Sequence, residues 1–257
     1  RLLIEWSDPR FRPDLICVND EAGAQIVREA WPDMLTNRIK ITGYPALDRY
    51  TGYNVADAAV KTRQTLRFES GKPMVVYFGQ VDRAGEALQE VVAALNELKQ
   101  DIYFIPRQHE RMAVDAPDQV PYWQAAAADF KGGTLIKDTS RVETASLLAS
   151  ADVVLAMYST VLTEAAVLRK QSIAVLYPDV GMLQFLVETG GVMPEFPLVS
   201  LGCAAKASSR RELRDVLSAA LGRGLKLEAN QSRYFSIDGK NTERVVETII
   251  QAANNRF

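Results

Sequence analysis

Runs of strand type alternate with runs of helix type along almost the whole chain, and no other feature narrows its fold as much. Met74 to Phe78 is a continuous apolar run, the pattern of a strand buried on both faces of a parallel sheet. After Gly79, Leu88, Val91, Val92, Leu95 and Leu98 fall on one face of a helix. Asp101 to Pro106, Thr134 to Ile136, Asp152 to Met157 and Ser172 to Tyr177 read as further strands. A helix opens at Ser159 with Val161, Leu162, Ala165 and Ala166 facing inward. Ser209 and Glu212 form a capping box ahead of another, and Val245, Val246, Ile249 and Ile250 mark the last. Strands and helices in this alternation require right-handed crossovers. The expected fold is a doubly wound parallel α/β sheet of Rossmann type.

The first part of the chain carries a smaller piece of the same kind. Asp14 to Val18 reads as a strand, Asn19 and Asp20 as helix caps, and the stretch through Trp31 as an amphipathic helix. Ile39 to Thr42 is a second strand, ended by Gly43 and Pro45, and residues 55–70 read as a connecting helix. The expected division is therefore residues 1–55, the tail of a preceding Rossmann domain with its linker, and residues 56–257, the main domain. The chain opens on Arg1 and the apolar run Leu2-Leu3-Ile4, which reads as a fragment of a longer polypeptide.

Composition excludes several classes of function. The 257 residues are 47% hydrophobic and 24% charged, the balance of a soluble globular protein. Lys and Arg total 30 against 32 Asp and Glu, so no basic excess exists to hold a nucleic-acid backbone. Cys17 and Cys203 are too few for a disulfide framework or a thiolate zinc site, and point to a reduced, cytoplasmic compartment. His109 is the single histidine, so neither a His-based metal site nor a metal cofactor is expected. No apolar run reaches the roughly 18 residues of a membrane span. Trp6, Trp31 and Trp123 are scattered and read as packing residues, and the Lys206–Arg214 basic cluster as a solvated helix face.

In open parallel sheets, ligands bind outside the carboxyl ends of the strands. That rule selects the loops Gly79-Gln80 to Gly85, Arg107 to Arg111, Tyr158-Ser159-Thr160 and Pro178 to Gly181. Ser159 and Thr160 open a helix straight after a buried strand, where unpaired N–H groups and the helix dipole favour a phosphate. Glu164, about one turn further in, is placed to accept hydrogen bonds from sugar hydroxyls. Read locally, the same residues are also an ordinary N-cap and a solvated glutamate. The Gly79 loop is neither a Walker A nor a GxGxxG sequence, and it serves equally as a strand-to-helix turn. His109, between Arg107 and Arg111, suits a pyrophosphate or a departing phosphate, or lies on a surface loop. No GxSxG elbow occurs.

Four segments resemble the carboxyl-terminal half of GT-B glycosyltransferase-like proteins, near the non-hydrolysing UDP-GlcNAc 2-epimerases and the CDP-glycerol or capsule-polysaccharide transferases. Lys40-Ile41-Thr42-Gly43-Tyr44-Pro45-Ala46-Leu47-Asp48 looks like the segment closing the first Rossmann domain of such proteins. Phe104 to His109 is similar to their strand ending in a histidine–proline motif, with Glu110 standing in place of the proline. Ala151-Asp152 through Glu164-Ala165 resembles their acidic strand–serine–glutamate segment, with Tyr158-Ser159-Thr160 replacing the Ser-Gly-Gly of the epimerases. Ile237-Asp238-Gly239-Lys240-Asn241-Thr242-Glu243-Arg244 is similar to their ending.

The resemblance implies two Rossmann domains facing across a cleft, with 56–257 as the nucleotide-binding one. Together with the loops that the strand-end rule selects, it gives an expected nucleotide site of Gly79, Gln80, Arg107, Ile136, Lys137, Tyr158, Ser159, Thr160 and Glu164. In that site Ile136 and Lys137 approach the base, the Ser159 and Thr160 amides hold the pyrophosphate, and Glu164 holds the ribose. His109 is the implied catalytic residue. The implied activity is transfer from a nucleotide-sugar or CDP-glycerol type donor to an acceptor glycan or lipid-linked glycan, in surface polysaccharide or glycoconjugate synthesis. No separate cofactor and no nucleic-acid partner are expected. Peripheral association with the inner face of the membrane, through the missing domain, is expected as well. A sugar-nucleotide 2-epimerase and a non-catalytic nucleotide-sugar binding module are the alternatives.

Overall fold

The computed structural model describes residues 9–69, 71–189, 191, 193–235 and 237–255. Trp6 and the Leu2–Ile4 run lie outside the described residues. In chain order the main elements are β1 (Ile16–Val18), α1 (Glu21–Ala30), β2 (Ile39–Ile41), α2 (Val55–Thr65), β3 (Met74–Phe78), α3 (Ala84–Glu97) and β4 (Ile102–Arg107). They continue with α4 (Gln119–Ala128), β5 (Gly133–Leu135), α5 (Thr144–Ser150), β6 (Val153–Ala156), α6 (Thr160–Val167) and β7 (Gln171–Val175). The chain closes with β8 (Ala205–Ala207), α7 (Arg210–Gly222), α8 (Glu228–Tyr234) and α9 (Asn241–Asn255).

Two compact units divide these elements. The first comprises Arg1–Tyr53, Gln184–Pro197 and Ser236–Phe257; the second comprises Asn54–Leu183 and Leu198–Phe235. This differs from the expected 1–55 and 56–257 division, because α9 groups with the amino-terminal piece. The reason lies in two of the sequence motifs. The Asp48 carboxylate accepts the Asn241 N–H at 3.1 Å and the Thr242 N–H and hydroxyl at 2.8 and 2.7 Å, capping the start of α9. Arg244 Nε donates to the Thr42 carbonyl at 2.9 Å, and Asn241 Nδ2 to the Tyr44 carbonyl at 3.2 Å. Gly43 adopts φ +81°, and a Cβ there would lie 1.9 Å from Asn241 Oδ1. In the same unit β1 and β2 pair in parallel, and Val18, Ala24, Val27, Trp31 and Ile39 form its core.

The second unit is a six-stranded parallel sheet in the order β5-β4-β3-β6-β7-β8. From β3 the chain winds outward to β5, then returns to the other side of β3 and winds outward to β8. The order reverses between β3 and β6, which makes that junction the topological switch point. Every residue of β3 and of β6 is buried, as the unbroken apolar runs require. The interior joins β3, β4, β6 and β7 to α3, α4 and α7 through Val75, Leu88, Val91, Phe104, Trp123, Leu155, Ile173 and Leu213. Asp152, just before β6, holds the start of the sheet: its Oδ2 accepts the Met74 N–H at 2.7 Å and the Arg63 guanidinium at 2.6 Å. Arg210 pairs with Glu90 of α3 at 2.8 Å and Arg214 approaches Glu97 at 3.4 Å, so this part of the basic cluster fastens α7 to α3. Lys206 of that cluster lies in β8 and not on a helix.

Candidate functional site

At the carboxyl ends of β3, β4, β5 and β6 the second unit opens into a cleft of about 770 Å³. Each wall is built from the residues that follow a strand. Gly79 leaves β3, and Gln108, His109 and Glu110 follow β4. Lys137, Asp138, Thr139 and Ser140 follow β5, while Ser159, Thr160, Val161 and Glu164 come from the start of α6 after β6. Trp123, Gln124 and Ala127 of α4 complete the lining.

Ser159 is the N-cap of α6, and its hydroxyl accepts the Val161 N–H at 3.4 Å. The positive end of the helix dipole thus faces the cleft at a position where Thr160 is exposed and Val161 buried. Glu164, half-buried, lines the same wall. After β4, the Nδ1 of His109 accepts the Arg111 N–H at 3.2 Å, so a neutral ring carries its proton on Nε2. Arg111 itself pairs with Asp115 at 2.8 Å and is not part of the cleft wall.

Arg107, which lines the cleft, also has a partner within the protein that its sequence position did not suggest. A single guanidinium nitrogen donates to both the Thr139 carbonyl, at 2.7 Å, and the Thr139 hydroxyl, at 2.6 Å. The side chain therefore ties the 137–140 loop to the end of β4. Within that loop Asp138 accepts the Ser140 hydroxyl at 2.7 Å and amide at 2.9 Å, and these bonds hold its carboxyl below the ordinary carboxylate range. Lys137 is exposed at the mouth of the cleft.

Of the residues expected in the site, Gly79, Arg107, His109, Lys137, Ser159, Thr160 and Glu164 line the cleft. Gln80, Ile136 and Tyr158 do not. The Gln80 amide reaches the Tyr158 carbonyl at 3.3 Å, bridging the ends of β3 and β6. Tyr158 packs against the core, and the Ile136 N–H continues the ladder to the Phe104 carbonyl at 2.9 Å. The glycines of the first loop serve packing: a Cβ on Gly79 would lie 2.4 Å from the Trp123 ring, and one on Gly85 2.5 Å from Tyr122 Cβ. The Pro178–Gly181 loop is not among the cleft residues.

The cleft residues that sequence reasoning missed include Trp123, Gln124 and Ala127 of α4, the Asp138–Ser140 turn and Thr144. Extending the strand-end rule to β5 would have found the turn. Nothing in the alanine-rich sequence of α4, with Pro121 in its first turn, marks Trp123. Among the described residues no group of His, Cys, Asp and Glu is arranged to hold a metal ion, and no helix is long and apolar enough to cross a membrane.

No protein-family model and no curated protein matches the sequence. Solved structures do match it. The wall teichoic acid polymerase TagF is 16% identical with a TM-score of 0.54, over 95% of this chain and 59% of that one. The UDP-GlcNAc 2-epimerase of Neisseria meningitidis, solved bound to UDP-GlcNAc, is 12% identical with a TM-score of 0.61, over 93% and 62%. HepE of Anabaena, solved in complex with UDP-glucose, is 14% identical with a TM-score of 0.56, over 94% and 65%. The chain thus spans 59% to 65% of the lengths of these structures. At these identities the likeness is one of architecture, and the chain has a GT-B glycosyltransferase-like fold.

Proposed function

We propose that the cleft binds the nucleotide part of an activated donor, and that the chain belongs to a transferase moving a sugar or glycerol phosphate to an acceptor glycan or lipid-linked glycan. One observation carries this reading. The switch-point cleft gathers His109, Lys137, Ser159, Thr160 and Glu164 from three strand ends that are far apart in sequence. The fold shared with a teichoic acid polymerase and with two proteins solved on UDP-sugars supports it.

The start of α6 supplies backbone N–H groups and a positive dipole end to the donor phosphates. Glu164 accepts ribose hydroxyls, and Lys137 with the 137–140 loop meets the base. His109, protonated on Nε2, donates to the departing phosphate oxygen. Arg107 contributes by holding the loop.

The experiment is a thermal-shift and calorimetry panel of UDP, CDP, CMP, GDP and their sugars. At a nucleotide concentration about a hundred times its Kd, binding adds ~2.7 kcal/mol of stability. No shift with any member overturns the reading. Epimerisation is the second reading, supported by the TM-score of 0.61 to the 2-epimerase. The whole protein incubated with UDP-GlcNAc alone separates the two, because an epimerase turns over without an acceptor.

A further inference from the structure

The two ends of the cleft differ in charge. At one end the start of α6, after β6, presents its positive dipole end beside Ser159 and Thr160. At the other, after the edge strand β5, Asp138 lines the wall. Three strand spacings, β6 to β3, β3 to β4 and β4 to β5, separate the two, about 14 Å across the sheet. An ionised carboxylate repels phosphate, so a ligand whose phosphates rest on α6 brings an uncharged group to Asp138.

Asp138 is held in place on both sides. Thr139 is buried; its carbonyl accepts the Arg107 guanidinium at 2.7 Å and the Val142 N–H at 3.0 Å, and its hydroxyl accepts the same guanidinium nitrogen at 2.6 Å. Asp138 Oδ1 accepts the Ser140 N–H at 2.9 Å and the Ser140 hydroxyl at 2.7 Å. Those two bonds keep the carboxyl ionised. Its other oxygen, Oδ2, accepts no hydrogen bond among the described residues, and the side chain is exposed. The turn thus offers a single, oriented acceptor.

We propose, on the nucleotide reading of the cleft given above, that Asp138 selects the base, and that the cleft takes a cytidine nucleotide in preference to a uridine one. The exocyclic amino group of cytosine donates to Oδ2. Uracil presents O4 at the same place, an acceptor against a carboxylate, and its N3–H lies between two carbonyl oxygens. Guanine offers paired donors, N1–H and the exocyclic amino group, which need both carboxylate oxygens, and Oδ1 is committed to Ser140. Adenine flanks its amino group with ring acceptors on both sides, cytosine on one.

The chain as it stands is titrated with CDP, UDP, GDP and ADP by calorimetry. CDP is expected to bind about tenfold more tightly than UDP. In Asp138→Asn the amide oxygen keeps the Ser140 bonds, which puts Nδ2, a donor, where Oδ2 was. That variant is expected to bring UDP level with CDP or ahead of it. UDP as tight as CDP on the unmodified sequence overturns the proposal, as does GDP or ADP ahead of CDP, or an Asp138→Asn variant that keeps the full preference for CDP. In each of those cases nucleotide still binds, so the nucleotide reading of the cleft stands. Binding by none of them overturns both.

Discussion

Arg107 and His109 leave the same strand two residues apart, and their surroundings give them different work. One guanidinium nitrogen of Arg107 binds Thr139, whereas the His109 ring accepts the Arg111 N–H on Nδ1, and both residues line the cleft. From the sequence both read as cations beside a phosphate, because the partner that claims Arg107 lies 32 residues further along. Glu164 shows the opposite case. Its distance from the helix start at Ser159 is fixed by helical geometry alone, and the structure brings it to the cleft wall. On the proposed function, Glu164→Ala weakens binding of the nucleotide selected from the panel by about 1–3 kcal/mol, the cost of leaving ribose hydroxyls unpaired. Calorimetry showing an unchanged Kd would remove Glu164 from the site.

Among the elements, β3 and α4 explain why the first loop is glycine-bearing without being a phosphate loop. The ring of Trp123 stacks on Tyr77 at 5.8 Å between centroids and covers Gly79, so the strand end has room for a hydrogen but not for a methyl group. Gly79→Ala places a Cβ 2.4 Å from Cη2 of that ring. It is expected to lower stability by about 1–3 kcal/mol through forced displacement of Trp123, read as a reduced midpoint in urea. An unchanged midpoint would mean that α4 gives way without cost. The helices most legible beforehand, α3 and α9, are those with a sharp apolar stripe. By contrast α4 ends in four alanines and β8 reads Ala-Lys-Ala, so neither shows an apolar pattern that stands out.

At the scale of the molecule, the chain's end is fastened to its beginning through Asp48. Burial raises the pKa of this carboxyl, but the hydrogen bonds from Thr242 and Asn241 outweigh that and hold it below its ordinary value. Asp238, paired with Arg244, is held down to about 2. Carboxyls depressed in the folded state contribute stability above their unfolded value of about 3.9, and lose it as pH falls through the folded value. Hydrogen exchange in α9 should therefore accelerate as pH is lowered from about 4 toward the folded-state values, relative to the intrinsic exchange rate at each pH. Asp48→Asn should raise exchange at neutral pH and flatten the acid response. An acid response identical in the variant would mean that Asp48 does not govern the attachment.

The doubly wound sheet itself was written in the sequence, because a strand buried on both faces must be apolar throughout and a crossover helix must show one apolar face. Those requirements act on neighbours in the chain and leave local periodic traces. The same holds for Ser159 as a helix cap. The membership of α9 in the first unit, the capture of Arg107 by Thr139 and the shielding of Gly79 by Trp123 were decided only in three dimensions. Each depends on two groups brought together from distant positions, and a hydrogen bond or a van der Waals contact between such groups has no period to announce it.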